Sequence, residues 1–256
     1  MSKDIVVFTL HKSASMFIHQ QCELLCGLCD MPYHSPNIPG SGINARKLLT
    51  DKSLWDTHHG CIAPIRFFVD LPREADYNII LHLRDPRDVL VSMFYSYCYI
   101  HPGEVAANTG YRQDVAARGI DAFVLTKAIG GNDMVGDYGT GGHVEDLIGN
   151  LAQRYRDYTK HFIGKPNVTL VKYEEMVGDY RSWLNKFTAP WPLTDRTRII
   201  ESLVAQSATF FPRRFQDVMT HVRHVTPGDY KLKLKTSTID KLNDIFSDTL
   251  KTLRST

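Results

Sequence analysis

The chain has 256 residues, 43% of them apolar and 23% charged, with a formal net charge of +2. That length suits one domain with a real core, and the balance is that of a globular chain rather than a disordered one. The small net charge, with basic residues spread along the sequence, argues against a dedicated nucleic-acid binder, and no apolar run approaches the ~18–20 residues that cross a bilayer.

The first element is Ile5-Val-Val-Phe-Thr-Leu10, a nearly all-apolar run of the kind expected for a buried parallel strand. It follows Met-Ser-Lys-Asp directly, so no secretory leader is expected and a cytoplasmic location is. The run breaks at His11-Lys-Ser-Ala-Ser15 and resumes with helical spacing from Met16 to Leu28. A strand, a short loop with a lysine and two hydroxyls, and then a helix N-terminus suit an anion, because backbone N–H groups and the helix dipole face it. The loop lacks the G-x-x-x-x-G-K-[ST] pattern of kinase-type phosphate loops, since no glycine precedes Lys12.

Cys22, Cys26 and Cys29 form C-x3-C-x2-C. That spacing can hold a [4Fe–4S] cluster with one open iron, as in radical enzymes that cleave S-adenosylmethionine. Cys22 and Cys26 also lie four apart on an amphipathic helix with Leu24, Leu25 and Leu28. Cysteine behaves there as a small hydrophobe, and the core reading is preferred. Cys61 and Cys98 show no partner pattern, so no disulfide framework is expected.

Next comes Leu54-Trp-Asp-Thr-His58-His59-Gly60, followed by Ile65 to Leu71, which reads as a helix after Pro64. Asn78-Ile-Ile-Leu-His-Leu83 is a second strand, running into Arg84 and turning at Pro86. A helix then starts with Asp88 in its first turn and continues to Tyr99. Arg84 at the strand end and Ser92 one turn into the helix are suited to a phosphate.

Beyond it, Pro102 to Gly142 is rich in Gly, Asp and Asn and reads as a long lid loop. His143 to Phe162 reads as a helix, Asn167 to Lys172 as a strand, and Tyr180–Phe187 and Asp195–Val204 as two further helices. Thr209 to Leu232 reads as a second lid, and Thr238 to Leu253 as one C-terminal amphipathic helix.

The two strand-to-helix turns together resemble the sulfotransferases that use 3′-phosphoadenosine 5′-phosphosulfate. In that family the first loop reads P-K-S-G-T-T-W; here it reads His11-Lys12-Ser13-Ala14-Ser15-Met16-Phe17. The second motif reads R-x-P-x-D-x-x-x-S, matched by Arg84, Pro86, Asp88 and Ser92 at the same spacing. The third, R-K-G-x-x-G-D-W-K, is met by Arg223-His-Val-Thr-Pro-Gly228-Asp229-Tyr230-Lys231, and a strand ending in Y-E-D by Tyr173-Glu174-Glu. The resemblance spans residues 5 to 231 and implies a single α/β domain over residues 1–256, with a central, mostly parallel sheet flanked by helices in a P-loop-like sulfotransferase fold.

The resemblance also implies roles. Lys12 would contact the 5′-phosphosulfate and stabilise charge on the bridging oxygen. Ser13, Ser15 and the amides of the loop, including those of Ala14 and Met16, would hold the 5′-phosphate. Arg84 and Ser92 would grip the 3′-phosphate, with Arg223 closing on it and His224 replacing the lysine that usually follows. Phe17 falls where the family has a Trp beside the adenine. Tyr173 would contact the adenine side, and Ser207 would be a further nucleotide contact. Ala14 stands in place of a glycine, so the loop would be shaped differently if that position needs φ > 0.

The family places its base, a histidine, at a strand end in a K-T-H context, and Thr57-His58 supplies the match, with His59 as runner-up. An imidazole has the right pKa for this transfer, worth ~10²–10⁴-fold. An in-line displacement then needs no metal and no covalent intermediate. The expected acceptor is a small alcohol, phenol or amine; Asp133, Asp137, Glu145 and Asp146 would suit a cationic one. Two other classes are a nucleotide-dependent kinase, which should show a metal-holding Ser/Thr after Gly-Lys and a second strand-end acid, and a non-catalytic nucleotide-binding protein.

Overall fold

The computed structural model describes residues 3–36, 43–100, 109–130, 149–207 and 226–255. In chain order these form β1 (Asp4–Phe8), α1 (Ser15–Leu28), β2 (Tyr33–His34), α2 (Ala45–Thr50), α3 (Leu54–Thr57), β3 (Cys61–Ile65) and β4 (Tyr77–Leu83). Then come α4 (Pro86–Tyr95), α5 (Thr109–Ile129), α6 (Leu151–His161), β5 (Val168–Lys172), α7 (Tyr173–Gly178) and α8 (Tyr180–Phe187). The last are α9 (Arg196–Ala205), α10 (Tyr230–Lys233), α11 (Thr236–Ile245) and α12 (Ser247–Ser255). By internal contacts the chain divides into two compact units, Met1–Leu83 with Lys160–Phe210, and Arg84–Thr159 with Phe211–Thr256.

The first unit holds a five-stranded sheet in the order β2-β3-β1-β4-β5, with every neighbouring pair parallel. Ile5 to Phe8 are fully buried, as are Ile79, Ile80, Leu81 and Leu83 on β4. Strands covered on both faces need such continuous apolar runs. The register pairs Ile5 with Cys61 and Phe8 with Ile65 on one side of β1, and Phe8 with Leu81 on the other. All strands therefore end along one edge, where the chain turns into His11–Ala14 after β1, Arg66 after β3 and Tyr173 after β5.

Helix α1 covers the sheet through Ile18, Cys22, Leu25 and Cys26. On α8, Trp183 stacks on Tyr180 at 5.7 Å and on Phe187 at 4.5 Å. Phe8 and Phe162 rings meet at 4.8 Å. Gly60 turns the chain into β3 at φ 108°, and a Cβ there would lie 2.3 Å from the Pro32 carbonyl oxygen, so only glycine fits.

The second unit is helical. Asp85 caps α4 by accepting from the Arg87 amide at 2.9 Å, with Pro86 at the first helical position. A π-helical turn, Ser96–Ile100, follows α4 directly. Phe94 and Tyr97 pack on Phe123 of α5 at 5.5 and 6.0 Å. Tyr155 of α6 donates to the Arg84 carbonyl at 2.5 Å and meets Phe246 edge-on.

Several sequence expectations are corrected. No helix forms over Ile65–Leu71: Ile65 closes the strand Cys61–Ile65, buried by its pairing with β1, and residues 66–71 are irregular. The expected lid over residues 102–142 contains the helix Thr109–Ile129, with a non-helical break at Gly119; residues 101–108 and 131–148 lie outside the described residues. The single C-terminal helix is two, parted at Phe246, whose backbone leaves the helical region at φ −106° and ψ 17°. Of the second lid, residues 208–225 lie outside the described residues, 226–229 lead through a turn, and α10 begins at Tyr230. Among the described residues, no helix is long and apolar enough to cross a membrane.

Candidate active site

The sequence candidates fall into two groups, one in each unit. In the first unit, β1 delivers Lys12 and Ala14 in left-handed conformations, φ 63° and φ 59°. Ala14 thus adopts the backbone region that a glycine would occupy more readily, at a cost of about 1–2 kcal/mol; the substitution keeps the loop's handedness. Ala14 is the N-cap of α1 and gives it no side-chain cap, so the first-turn amides of this 14-residue helix are left to other acceptors. Ser13 is fully buried, and its Oγ has no hydrogen-bond partner. A buried hydroxyl with nothing to bond, at a helix N-terminus beside a lysine, fits a phosphate oxygen. Ser15 is buried in the same turn and Met16 is exposed.

Phe17 lies one residue further into α1, its ring 6.1 Å from Tyr180 and 6.0 Å from Trp183. Tyr173 follows β5 at the same sheet edge and is buried. Ser207 lies just beyond α9, half-buried.

His58 is not brought to this edge. It caps the C-terminus of α3, ahead of β3 rather than at a strand end. The neighbouring Gly60 amide donates to Asp4 Oδ1 at 2.7 Å, and the Ile5 amide donates to the Gly60 carbonyl at 2.8 Å. His58 and His59 therefore lie beside the start of β1, whereas Lys12 follows its end, and a five-residue strand rises about 16 Å. The ring of His58 lies with Nδ1 3.1 Å from the Leu54 carbonyl and 3.0 Å from Thr57 Oγ1. It is at the wrong edge. A tripeptide motif could be matched in the sequence, but which edge of the sheet it reached depended on the direction of β3.

Arg66 is the residue that sequence reasoning missed at the correct edge. It directly follows β3, is half-buried, and its Nη2 approaches Met16 Sδ at 3.7 Å. An arginine just after a buried apolar run is the signal that could have found it.

In the second unit, Arg84 is buried and Ser92 is half-buried on α4. Asp88, in the first turn of α4, accepts from the amides of Gly228 at 2.6 Å and Tyr230 at 3.0 Å. The third motif is thereby fastened to the second. Burial pushes the Asp88 carboxyl pKa up, opposed by Arg84 and those two amides. Arg87 grips Asp85 through Nε at 2.9 Å and Nη2 at 2.5 Å, reaches Asn243 Oδ1 at 2.6 Å, and stacks 4.0 Å over Tyr230. It is fully committed to structure. Arg223 and His224 lie outside the described residues, as do Asp133, Asp137, Glu145 and Asp146.

Cys22, Cys26 and Cys61 are buried. A hydrogen bond with Cys61, together with burial, pushes the Cys26 thiol far above its ordinary range. Cys22 and Cys26 thus pack in the core of the first unit as small hydrophobes do. Among the described residues, no group of three or more His, Cys, Asp or Glu side chains is arranged to hold a metal ion.

These features define an α/β protein with a five-stranded parallel sheet. A family model, the sulfotransferase domain, matches residues 49–254, and the chain belongs to that family. It is thus an enzyme of the sulfuryl-transfer class. The match begins after the Lys12 loop. Among solved structures, mouse sulfotransferase SULT7A1 complexed with PAP is similar, with a TM-score of 0.63, 16% identity, and coverage of 97% of this chain and 84% of that one. Retinol dehydratase, in complex with androsterone and inactive cofactor PAP, is similar at a TM-score of 0.55 and 12% identity, over 97% of this chain and 80% of that one. Both share the fold. No curated protein sequence matches this one.

Proposed function

We propose that the protein transfers the sulfuryl group of 3′-phosphoadenosine 5′-phosphosulfate to a hydroxyl or amine of a small molecule. One observation carries the reading: in a chain of this family, the β1–α1 turn offers a buried, unpartnered Ser13 hydroxyl and an uncapped helix N-terminus beside Lys12. The PAP in the solved structures of SULT7A1 and retinol dehydratase supports the same donor, and the androsterone in the latter supports a small acceptor. The five free cysteines suit a reducing, cytoplasmic setting.

Bound there, the donor supplies an activated sulfuryl group, whose bond to the phosphate oxygen breaks as the bond to the acceptor forms. Lys12 lowers the barrier by stabilising charge on that bridging oxygen. Ser13, Ser15 and the amides from Ala14 to Phe17 hold the 5′-phosphate. Arg84 and Ser92 take the 3′-phosphate, with Arg223 and His224 completing it, while Phe17, Tyr173 and Ser207 flank the nucleoside. The acceptor's proton leaves at the Lys12 edge of the sheet, where His11, the residue before Lys12, replaces His58 as the base to test.

Calorimetric titration with adenosine 3′,5′-bisphosphate, ATP and adenosine 5′-phosphate tests the donor. The bisphosphate should bind much the tightest, and Arg84→Ala should erase most of its advantage over the monophosphate. Equal or better binding of ATP would sink the reading in favour of a kinase. With a working acceptor, Lys12→Ala should nearly abolish turnover without Mg²⁺ ever being needed.

A further inference from the structure

The Ile65 carbonyl at the end of β3 accepts from the Thr9 amide at 2.8 Å. Arg66 therefore leaves the sheet at the edge where His11–Ala14 leaves it. Its Nη2 lies 3.7 Å from Sδ of Met16, the second residue of α1. Its Nε is enclosed and has no hydrogen-bond partner. Two other arginines of this unit pair with carboxylates, Arg73 with Asp56 and Arg181 with Glu201. Among the described residues, no carboxylate pairs with Arg66.

A guanidinium cannot serve as a base near neutrality, but its planar fork matches a carboxylate in charge and shape. The strand order says which ligand it serves. β3 lies on one side of β1, and β4 and β5 lie on the other. Tyr173, assigned to the nucleoside, follows β5 on that far side. Arg66 flanks the Lys12 loop on the opposite side of β1, away from Tyr173, which on the donor reading above leaves it to the acceptor rather than the nucleoside.

We propose that Arg66 holds a carboxylate of the acceptor, so that the substrate is a hydroxyl or amino compound that is also an acid. This rests on the donor reading above and opposes the cationic acceptor suggested by the loop acids. Arg66 would be a specificity residue, pairing with the acid group while the transfer takes place elsewhere on the acceptor.

The test uses matched trios, for example 4-hydroxyphenylacetate, its methyl ester and tyramine, with parallel aliphatic sets. Each is offered to the full-length enzyme saturated with adenosine 3′,5′-bisphosphate, and binding is read by ligand-observed NMR. Transfer is followed separately with radiolabelled donor. The acid of a trio should bind at least about tenfold better than its ester or amine, the size of a charge-assisted pair. Arg66→Gln should remove that preference and leave bisphosphate affinity unchanged, and Arg66→Lys should restore part of it. No preference for the acid in any trio overturns the proposal, and so does loss of bisphosphate affinity in Arg66→Gln. If the bisphosphate itself does not bind, the donor reading fails instead, and the two failures are distinct.

Discussion

His59 Nδ1 lies 3.1 Å from Asp4 Oδ2, within hydrogen-bond reach at the start of β1. This contact ties the His58–His59 pair to the edge of the sheet remote from Lys12. Replacing either histidine by Gln should leave kcat close to that of the parent, whereas loss of a general base costs ~10²–10⁴-fold. A drop of that size in His58→Gln alone, with bisphosphate affinity intact, would restore it as the base. His11→Gln is the informative comparison.

Ser13→Ala should separate stability from binding. The buried Oγ makes no hydrogen bond, and an unsatisfied buried hydroxyl costs about 1–3 kcal/mol. The ligand-free variant should be as stable as the parent or up to about 1 kcal/mol more so by urea denaturation, yet bind adenosine 3′,5′-bisphosphate about tenfold more weakly. Loss of stability with unchanged affinity would mean that the hydroxyl serves the fold.

Asp88→Ala strips the acceptor from two amides, those of Gly228 and Tyr230. The expected loss is about 2 kcal/mol or more in the denaturant midpoint analysis, since each buried amide left unpaired costs about 1–3 kcal/mol. Asp88→Asn keeps one acceptor oxygen and should recover part of it. Hydrogen exchange should show the Gly228 and Tyr230 amides opening first in the alanine variant. Unchanged protection there would contradict the fastening role.

Stability should fall on the acid side partly through His34. Burial, the leading cause, and the neighbouring His58 lower its pKa from the ordinary 6.5, against the opposing hydrogen bond to the His59 carbonyl. The unfolded chain then binds a proton more readily than the folded one. The contribution is present above pH 6.5 and is lost as pH drops through that value toward the folded pKa. Urea midpoints from pH 7.5 downward should decline less steeply in His34→Gln than in the parent; parallel declines would rule this out.

The sequence made the local elements legible. β1, β4 and β5 stand out as apolar runs, and α8 as the segment Tyr180–Phe187. The Pro86–Asp88 start of α4 follows from helix-capping chemistry alone. What escaped were features set by distant partners. The strand at Cys61–Ile65 carries a proline that a local reading takes as a helix start, and only pairing with β1 makes it a strand. The helix Thr109–Ile129 hid in a stretch of weak apolar periodicity, interrupted by Gly119. Arg66 and His58 exchanged importance because strand direction decides which edge each reaches. The strand-to-helix turn at Lys12–Ser15 was readable because strand, loop and helix are contiguous there.

The left-handed backbone at Ala14 has a consequence for recognition. A glycine at that point would let an empty turn wander through many shapes, and a ligand would have to freeze it. A methyl group forbids most of those shapes, so on the proposed function the turn would meet its anion already formed. Part of the ordering that binding demands is thus completed when the chain folds. The strain of the αL residue is carried by the whole domain rather than charged to each catalytic cycle, which favours quick capture of the donor over a turn that moulds itself to many different anions.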